Sequence, residues 1–297
     1  MRLSIAHTTT YAYDVPFVGE SYMEARLRPL TAAGEQVCRE FRLTTDPSAT
    51  IFEYNLAAEG NSVSHFTIKD AGHRNLVIHA ESVVDTLIDN PFADVELDAG
   101  DWTGLADPAV RNNQAEWLPS TPLTNFFADP ELPQLPRESV FEYAQALMEF
   151  IYSHFEYVPG STDVSTPLET FVNQRRGVCQ DYAHLMIAIA RAAGVPSRYV
   201  SGYVSSGSNQ NTHGSDATHA WAELYLPKTG VWKGFDPTNN VVVAGRHVKI
   251  GTGRDYNDVP PTKGLLRPGR GYALPTTTEL LVDVRITEVA TSASVGT

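Results

Sequence analysis

Cys179 lies in Arg175-Arg176-Gly177-Val178-Cys179-Gln180-Asp181-Tyr182-Ala183-His184, just ahead of an apolar-periodic run that ends at Gly194-Val195-Pro196. This pattern predicts a loop that delivers one thiol to the first turn of a helix. Helix N-termini carry unpaired N–H groups and partial positive charge, which stabilise a thiolate. Downstream, His219 stands in Thr218-His219-Ala220-Trp221 on a predicted strand. Asp236 stands in Gly234-Phe235-Asp236-Pro237-Thr238, where another strand is expected to end. A thiol, an imidazole and a carboxylate are the parts of an acyl-transfer relay.

In that relay the Cys179 backbone N–H donates to an oxyanion, and His219 takes the thiol proton and returns it to a leaving amine. Glu223 shares the His219 face, but it lies roughly 13 Å along the strand, four residues at about 3.3 Å each, too far to orient the ring. Asp236 is the better orienter, expected as the acceptor of the Nδ1–H. Each residue also has a plainer use. A free cysteine is commonly a small hydrophobe, a histidine a satisfied core group, and an Asp before Pro a turn opener. Cys38, in a strand-like segment, fits the plain use. Gln174 and Tyr157 are candidates for the second oxyanion donor, and Trp221 or the polar loop 205–216 for a screen over the substrate. Asp181 and His184 do not face Cys179 well along a helix and are expected to be structural.

Metal chemistry has some raw material in Cys179, His184, His213 and His219. No CxxC, HExxH or EF-hand loop accompanies them, so no metal or other cofactor is expected. There is no GxxxxGK[ST] or GxGxxG phosphate cradle either.

The elements that must position these groups divide into three stretches. Residues 1–95 are β-rich: Leu3 to Tyr13, Val37 to Leu43, Ser62 to Ile68 and Asn75 to Ala80 alternate with period two at least in part, which suggests a sandwich or barrel-like module. Residues 96–135, rich in Pro, Asp and Asn, form a connector, with one short helix expected after Ser120-Thr121-Pro122. Residues 136–297 carry the candidate catalytic groups. Val140, Ala144, Leu147, Met148, Ile151 and Phe155 share a helical face. Thr166-Pro167-Leu168-Glu169 opens a second helix with a capping-box pattern. In the Cys179 helix, Tyr182, Leu185, Met186, Ile189 and Ala193 make a buried stripe that Gly194 terminates. Strands are expected over 198–204, 217–226 and 231–235, irregular structure over 245–275, and a last strand from Leu280 to Val289.

The 297 residues are 42% hydrophobic and 19% charged, with a net charge of −13. That balance can build a core and argues against a general nucleic-acid or anionic-membrane binder. Two cysteines make no disulfide framework, so a reducing compartment is the simpler reading. Met1 to His7 is not a signal peptide and no apolar run reaches 18 residues, which favours a cytoplasmic protein without a membrane span.

Arg176 to Ala183, Arg198 to Tyr203, Thr218 to Glu223 and Phe235 to Asn239 together resemble the bacterial transglutaminase-like cysteine protease family. His7 to Tyr13 and Arg26-Leu27-Arg28-Pro29 are similar to the β-rich region that precedes its core, and Gly253 to Pro261 to its C-terminal segment. The resemblance implies an α+β fold: a papain-like, transglutaminase-like core after a β-sandwich-like N-terminal part. It also implies Cys179 as nucleophile, His219 as base and Asp236 as orienter. The implied reaction is attack on a peptide or side-chain amide of a peptide or protein substrate, through a thioester. No acidic loop supports calcium. No acidic tunnel for a lysine amine is identifiable, so hydrolysis is expected over transfer to an amine by a protein-glutamine transglutaminase. The contrasting class is a non-catalytic peptide-binding module, against which the intact trio argues.

Overall fold

The computed structural model describes the chain except residues 16, 57–59, 70–71, 94, 96–99, 126–134, 208–211 and 291–297. The fold is α+β with a β-rich N-terminal region. Two four-stranded antiparallel sheets face each other there. One has the order β15(Thr277–Glu288)-β1(Arg2–Tyr13)-β6(Asn75–Thr86)-β3(Gln36–Asp46). The other runs β14(Thr262–Pro268)-β2(Val18–Ala25)-β5(Asn61–Ile68)-β4(Ile51–Leu56). Tyr13, Met23, Phe66, Ile68, Leu76 and Ile78 fill the space between them. Alternate residues of β1 and β6 are buried, as a sheet with one covered face requires.

The second layer system is an antiparallel sheet of order β12(Val241–Val242)-β11(Val231–Asp236)-β10(His219–Leu226)-β9(Ser197–Val204)-β13(His247–Gly253). Against it pack α3(Val140–His154), α4(Leu168–Gln174) and α5(Cys179–Ala192). Ala220, Ala222, Leu224 and Leu226 of β10 face this helix layer, as their alternation predicts. α3 begins with a side-chain cap: the Glu142 N–H donates to Ser139 Oγ at 3.1 Å, and that hydroxyl in turn donates to the Glu142 carboxylate at 3.0 Å. A short parallel pair, β7(Glu156–Tyr157) and β8(Arg176–Gly177), closes the loop before α5.

Several expectations give way. The last two strands do not stay with residues 136–297: β14 pairs with β2, and β15 with β1. A strand's residues specify that it pairs, and long-range packing decides with which partner. The connector holds two short helices, α1(Gly100–Leu105) and α2(Pro108–Asn113), before Ser120. After it a turn spans Thr121 to Thr124, tied by the two threonine hydroxyls. α4 has no side-chain cap, because Thr166 Oγ1 accepts from the Asp163 N–H instead. α5 is buried nearly all round rather than along one stripe, since helices and sheet enclose it. Residues 247–253 form a strand buried along its whole length, where irregular structure was expected.

Leu3, Ile5 and Val84 of the first sheet pack on Tyr203, Val248 and Ile250 of the five-stranded sheet. Side-chain amides pin the same seam. Gln36 donates to the Lys249 carbonyl at 2.9 Å and accepts the Lys249 N–H at 2.8 Å, while Asn61 pairs with Thr252 in the same two-way manner. Among the described residues no helix is long and apolar enough to cross a membrane.

Candidate active site

Gly177 sets the approach to α5. A Cβ there would fall 2.5 Å from the Phe171 ring and 2.7 Å from Asp181 Oδ2, so only glycine fits. Asp181 Oδ2 accepts the Val178 N–H at 2.8 Å and the Thr162 hydroxyl at 2.5 Å. That bond caps the helix at its third position, which explains Asp181 without chemistry of its own. Cys179 is then the first helical residue, and its N–H has no acceptor within the helix. Its side chain is free and partly exposed.

His219 opens β10 and Asp236 closes β11, so adjoining strands present them at one end of the sheet. His219 Nε2 bonds Asp236 Oδ2 at 2.8 Å, with both side chains fully buried. Asp236 Oδ1 accepts the N–H groups of Thr238 at 3.0 Å and Asn239 at 3.3 Å. Burial alone would raise the Asp236 carboxyl; the charge and hydrogen bond of His219, joined by His247, hold it well below the usual carboxylate range. Burial alone would lower His219; the Asp236 charge and hydrogen bond, with a smaller push from Cys179, raise it to about 10.

The Asp236 bond falls on Nε2 rather than on the expected Nδ1. The His219 Nδ1 is buried with no nitrogen or oxygen partner among the described residues. The Cys179 side chain is a neighbour of this ring and adds to the forces that raise it. Residue order reveals which groups meet but not which ring edge each one takes. Gly214 (φ +78°) crosses the Nδ1 edge, where its own Cβ would lie 2.5 Å from that nitrogen.

The other candidates scatter. Tyr157 stays near the thiol: burial, then the Cys179 charge, push its phenol up, and its ring stacks on His213 at 4.3 Å between centroids. Trp221 is wholly buried, packed with Val200 and Val243 and edge-on to His247 at 5.2 Å, so it backs the imidazoles and screens no groove. Gln174 ends α4 exposed, separated in the chain from Cys179 by the left-handed Arg175 and β8, and offers no buried donor. Glu223 pairs instead with Arg198 at 2.7 Å and Lys249 at 2.5 Å. Burial holds His184 down to about 3, and its Nε2 accepts the Tyr256 N–H at 3.2 Å. Cys38 lies in β3, also free.

Two neighbours of Asp236 escaped the sequence reading. Asn239 donates to Asp236 Oδ2 at 2.8 Å, and His247 Nε2 lies 3.1 Å from the same oxygen. Ligand atoms of His219, Asp236 and His247 lie within 4.8 Å of one another, a different grouping from the metal set suggested by the sequence. The signal for β13 was faint: a strand covered on both faces need not alternate.

Residues 133–237 match the family described as Transglutaminase-like superfamily, and residues 3–85 match the Bacterial transglutaminase-like N-terminal region. An uncharacterized protein of Mycobacterium tuberculosis is 34% identical over 287 residues, covering 89% of this chain and 87% of its own. A protein-glutamine gamma-glutamyltransferase of Pseudomonas aeruginosa is 33% identical over 143 residues, 46% of this chain and 21% of that protein. A crystal structure of a proposed cysteine protease from Cytophaga hutchinsonii shares the fold, with a TM-score of 0.63 at 22% identity, over 98% of this chain and 93% of that one.

Proposed function

The chain belongs to the transglutaminase-like superfamily, and within it we propose a cysteine-dependent acyl-transfer enzyme that hydrolyses peptide or side-chain amides of a peptide or protein substrate. The observation that carries the reading is the buried His219–Asp236 pair, whose second ring nitrogen has no partner among the described residues and whose neighbours include the thiol at the N-terminus of α5. The imidazole is ready to take a proton, and the helix terminus offers partial positive charge at the sulfur.

In this mechanism the Cys179 thiolate attacks the amide carbon. The oxyanion takes the Cys179 N–H, with the Tyr157 hydroxyl as candidate second donor. His219 passes its Nδ1 proton to the departing amine, which leaves a thioester and a neutral imidazole. Water then adds to the thioester as His219 accepts its proton, and collapse returns the acid product and the thiol. Asp236 stays ionised and keeps the other ring nitrogen protonated. The partly exposed thiol gives water a path to the thioester, which favours hydrolysis.

Mass spectrometry of glutamine-containing peptides, incubated with and without a primary amine, tests the reaction. Backbone cleavage or deamidation that is lost in Cys179→Ala supports the proposal. Amine incorporation at the expense of both reassigns the chain to transamidation. Wild-type turnover in a folded Cys179→Ala variant, or none in the wild type against a broad peptide library, refutes it.

A further inference from the structure

We infer that His247 is a positioning residue for the proposed reaction, the second imidazole that fixes the Asp236 carboxylate for His219. This rests on the acyl-transfer reading above. His247 opens β13, at the far edge of the five-stranded sheet from β11, and its side chain spans the end of the sheet to reach Asp236 Oδ2. That oxygen therefore faces three nitrogen donors: His219 Nε2 at 2.8 Å, Asn239 Nδ2 at 2.8 Å and His247 Nε2 at 3.1 Å. A carboxylate oxygen only accepts, so the proton in this contact sits on His247 Nε2, while the His247 Nδ1 is buried with no partner among the described residues.

Geometry gives the bond its role. A buried carboxylate turns about its last side-chain bond until it meets its donors. The two backbone donors fix Oδ1, and the three side-chain donors fix Oδ2. Without His247 the Oδ2 lone pairs answer to Asn239 and His219 alone, and the carboxylate swings toward Asn239, which also reaches the carbonyl of His213 at 3.2 Å. His219 then loses an aligned acceptor. The charged or titratable groups around His219 are Asp236 from β11, His247 from β13, Cys179 from α5 and, beyond the thiol, Tyr157 from β7, with Asp216 acting on that phenol. Trp221 packs against both imidazoles and holds them in place.

The test is the pH midpoint of Cys179 alkylation by iodoacetamide in a Cys38→Ser background, compared among wild type, His247→Leu and His247→Gln. Glutamine keeps a side-chain N–H donor and leucine removes it at similar volume. In His247→Leu the midpoint is expected to rise above that of the wild type. Peptide turnover should fall about 10- to 100-fold in kcat with KM little changed, the size of loss seen when a hydrogen-bond partner that orients a metal-bound histidine is removed. His247→Gln should restore both to within a few-fold. A folded His247→Leu with an unmoved midpoint overturns the inference, because a purely structural histidine would change melting temperature alone. Should His247→Leu not fold, His247→Ala takes its place with the same two outcomes: a raised midpoint supports positioning, and an unmoved one refutes it. If the wild-type thiol itself titrates normally, the acyl-transfer reading fails first and takes this inference with it.

Discussion

Gly214→Ala perturbs the imidazole without replacing any residue of the proposed relay. The backbone at Gly214 sits at φ +78°, where an alanine is disfavoured by about 1–2 kcal/mol. The added methyl would also stand 2.5 Å from His219 Nδ1, 3.2 Å from Cγ and 3.3 Å from Cε1, whereas ordinary contact begins at 3.4 Å. Loop or ring must yield by about 0.9 Å along the line to Nδ1. The ring is clamped at its other nitrogen by Asp236, so part of that shift falls on the Nδ1 edge, which the proposed mechanism uses. A displacement of about 1 Å at a reacting group lowers a rate about 10²-fold, close to 2.7 kcal/mol of barrier. The expectation is therefore a roughly hundredfold fall in peptide turnover and slower alkylation of Cys179 at pH 6. Gly34→Ala is the control. Gly34 has φ +75° with nothing within 4 Å of its Cβ position, so it carries the backbone strain alone. Both variants should melt a few degrees below wild type, and only Gly214→Ala should lose turnover. Equal activity in the two variants would refute the placement of Nδ1 against this loop.

Asp236→Asn should lower turnover by orders of magnitude, about 10⁴-fold where the same change was made in a serine triad, while circular dichroism stays native; a variant within tenfold of wild type removes Asp236 from the mechanism. Asp181→Ala takes the cap from α5, leaving the Val178 N–H and the Thr162 hydroxyl without their acceptor; a loss of about 1 kcal/mol in urea unfolding checks it. The His219 imidazole, raised on folding to about 10 from an ordinary value near 6.5, adds stability that is full below about pH 6.5 and disappears as pH rises through 10. Between pH 7 and 10 the wild type should therefore lose more stability than His219→Gln, and parallel pH profiles would contradict the raised imidazole.

The parts of the site that lie on local patterns were legible in the residues. Glycine before an apolar-periodic run located the start of α5, and strict alternation in 220–226 told the inward face of β10 from the His219 face. Strands rich in β-branched residues marked β1, β5 and β6. What escaped depends on distant packing. β13 carries Lys249 and three non-apolar small residues, Gly251, Thr252 and Gly253, yet is buried throughout, because Gln36, Asn61, Glu35 and Glu223 satisfy it from elements far away in the chain. His247 was hidden with it. The orientation of the His219 ring was equally out of reach, since no spacing along a chain distinguishes two nitrogens of one side chain. Trp221, beside a histidine in sequence, looked available to substrate; its place behind the imidazoles follows from Gly202, where a Cβ would strike the indole at 2.3 Å.

These long-range dependences give the N-terminal sheets a part in the site. β13 is the edge of the five-stranded sheet, and an edge strand keeps its position only if something covers it. Leu3, Ile5 and Val84 supply the apolar cover, and Gln36 and Asn61 bond its backbone. The chain's last strand extends the same support to the loop before β10: the Val284 N–H of β15 donates to the Asp216 carbonyl at 3.1 Å, two residues from Gly214 and three from His219. Thus the first and last strands of the chain lie side by side and steady, from one direction, the strand that bears His247 and the loop that borders Nδ1. The β-rich region is in this sense a buttress for the carboxylate and its two imidazoles, whatever it also does toward substrate.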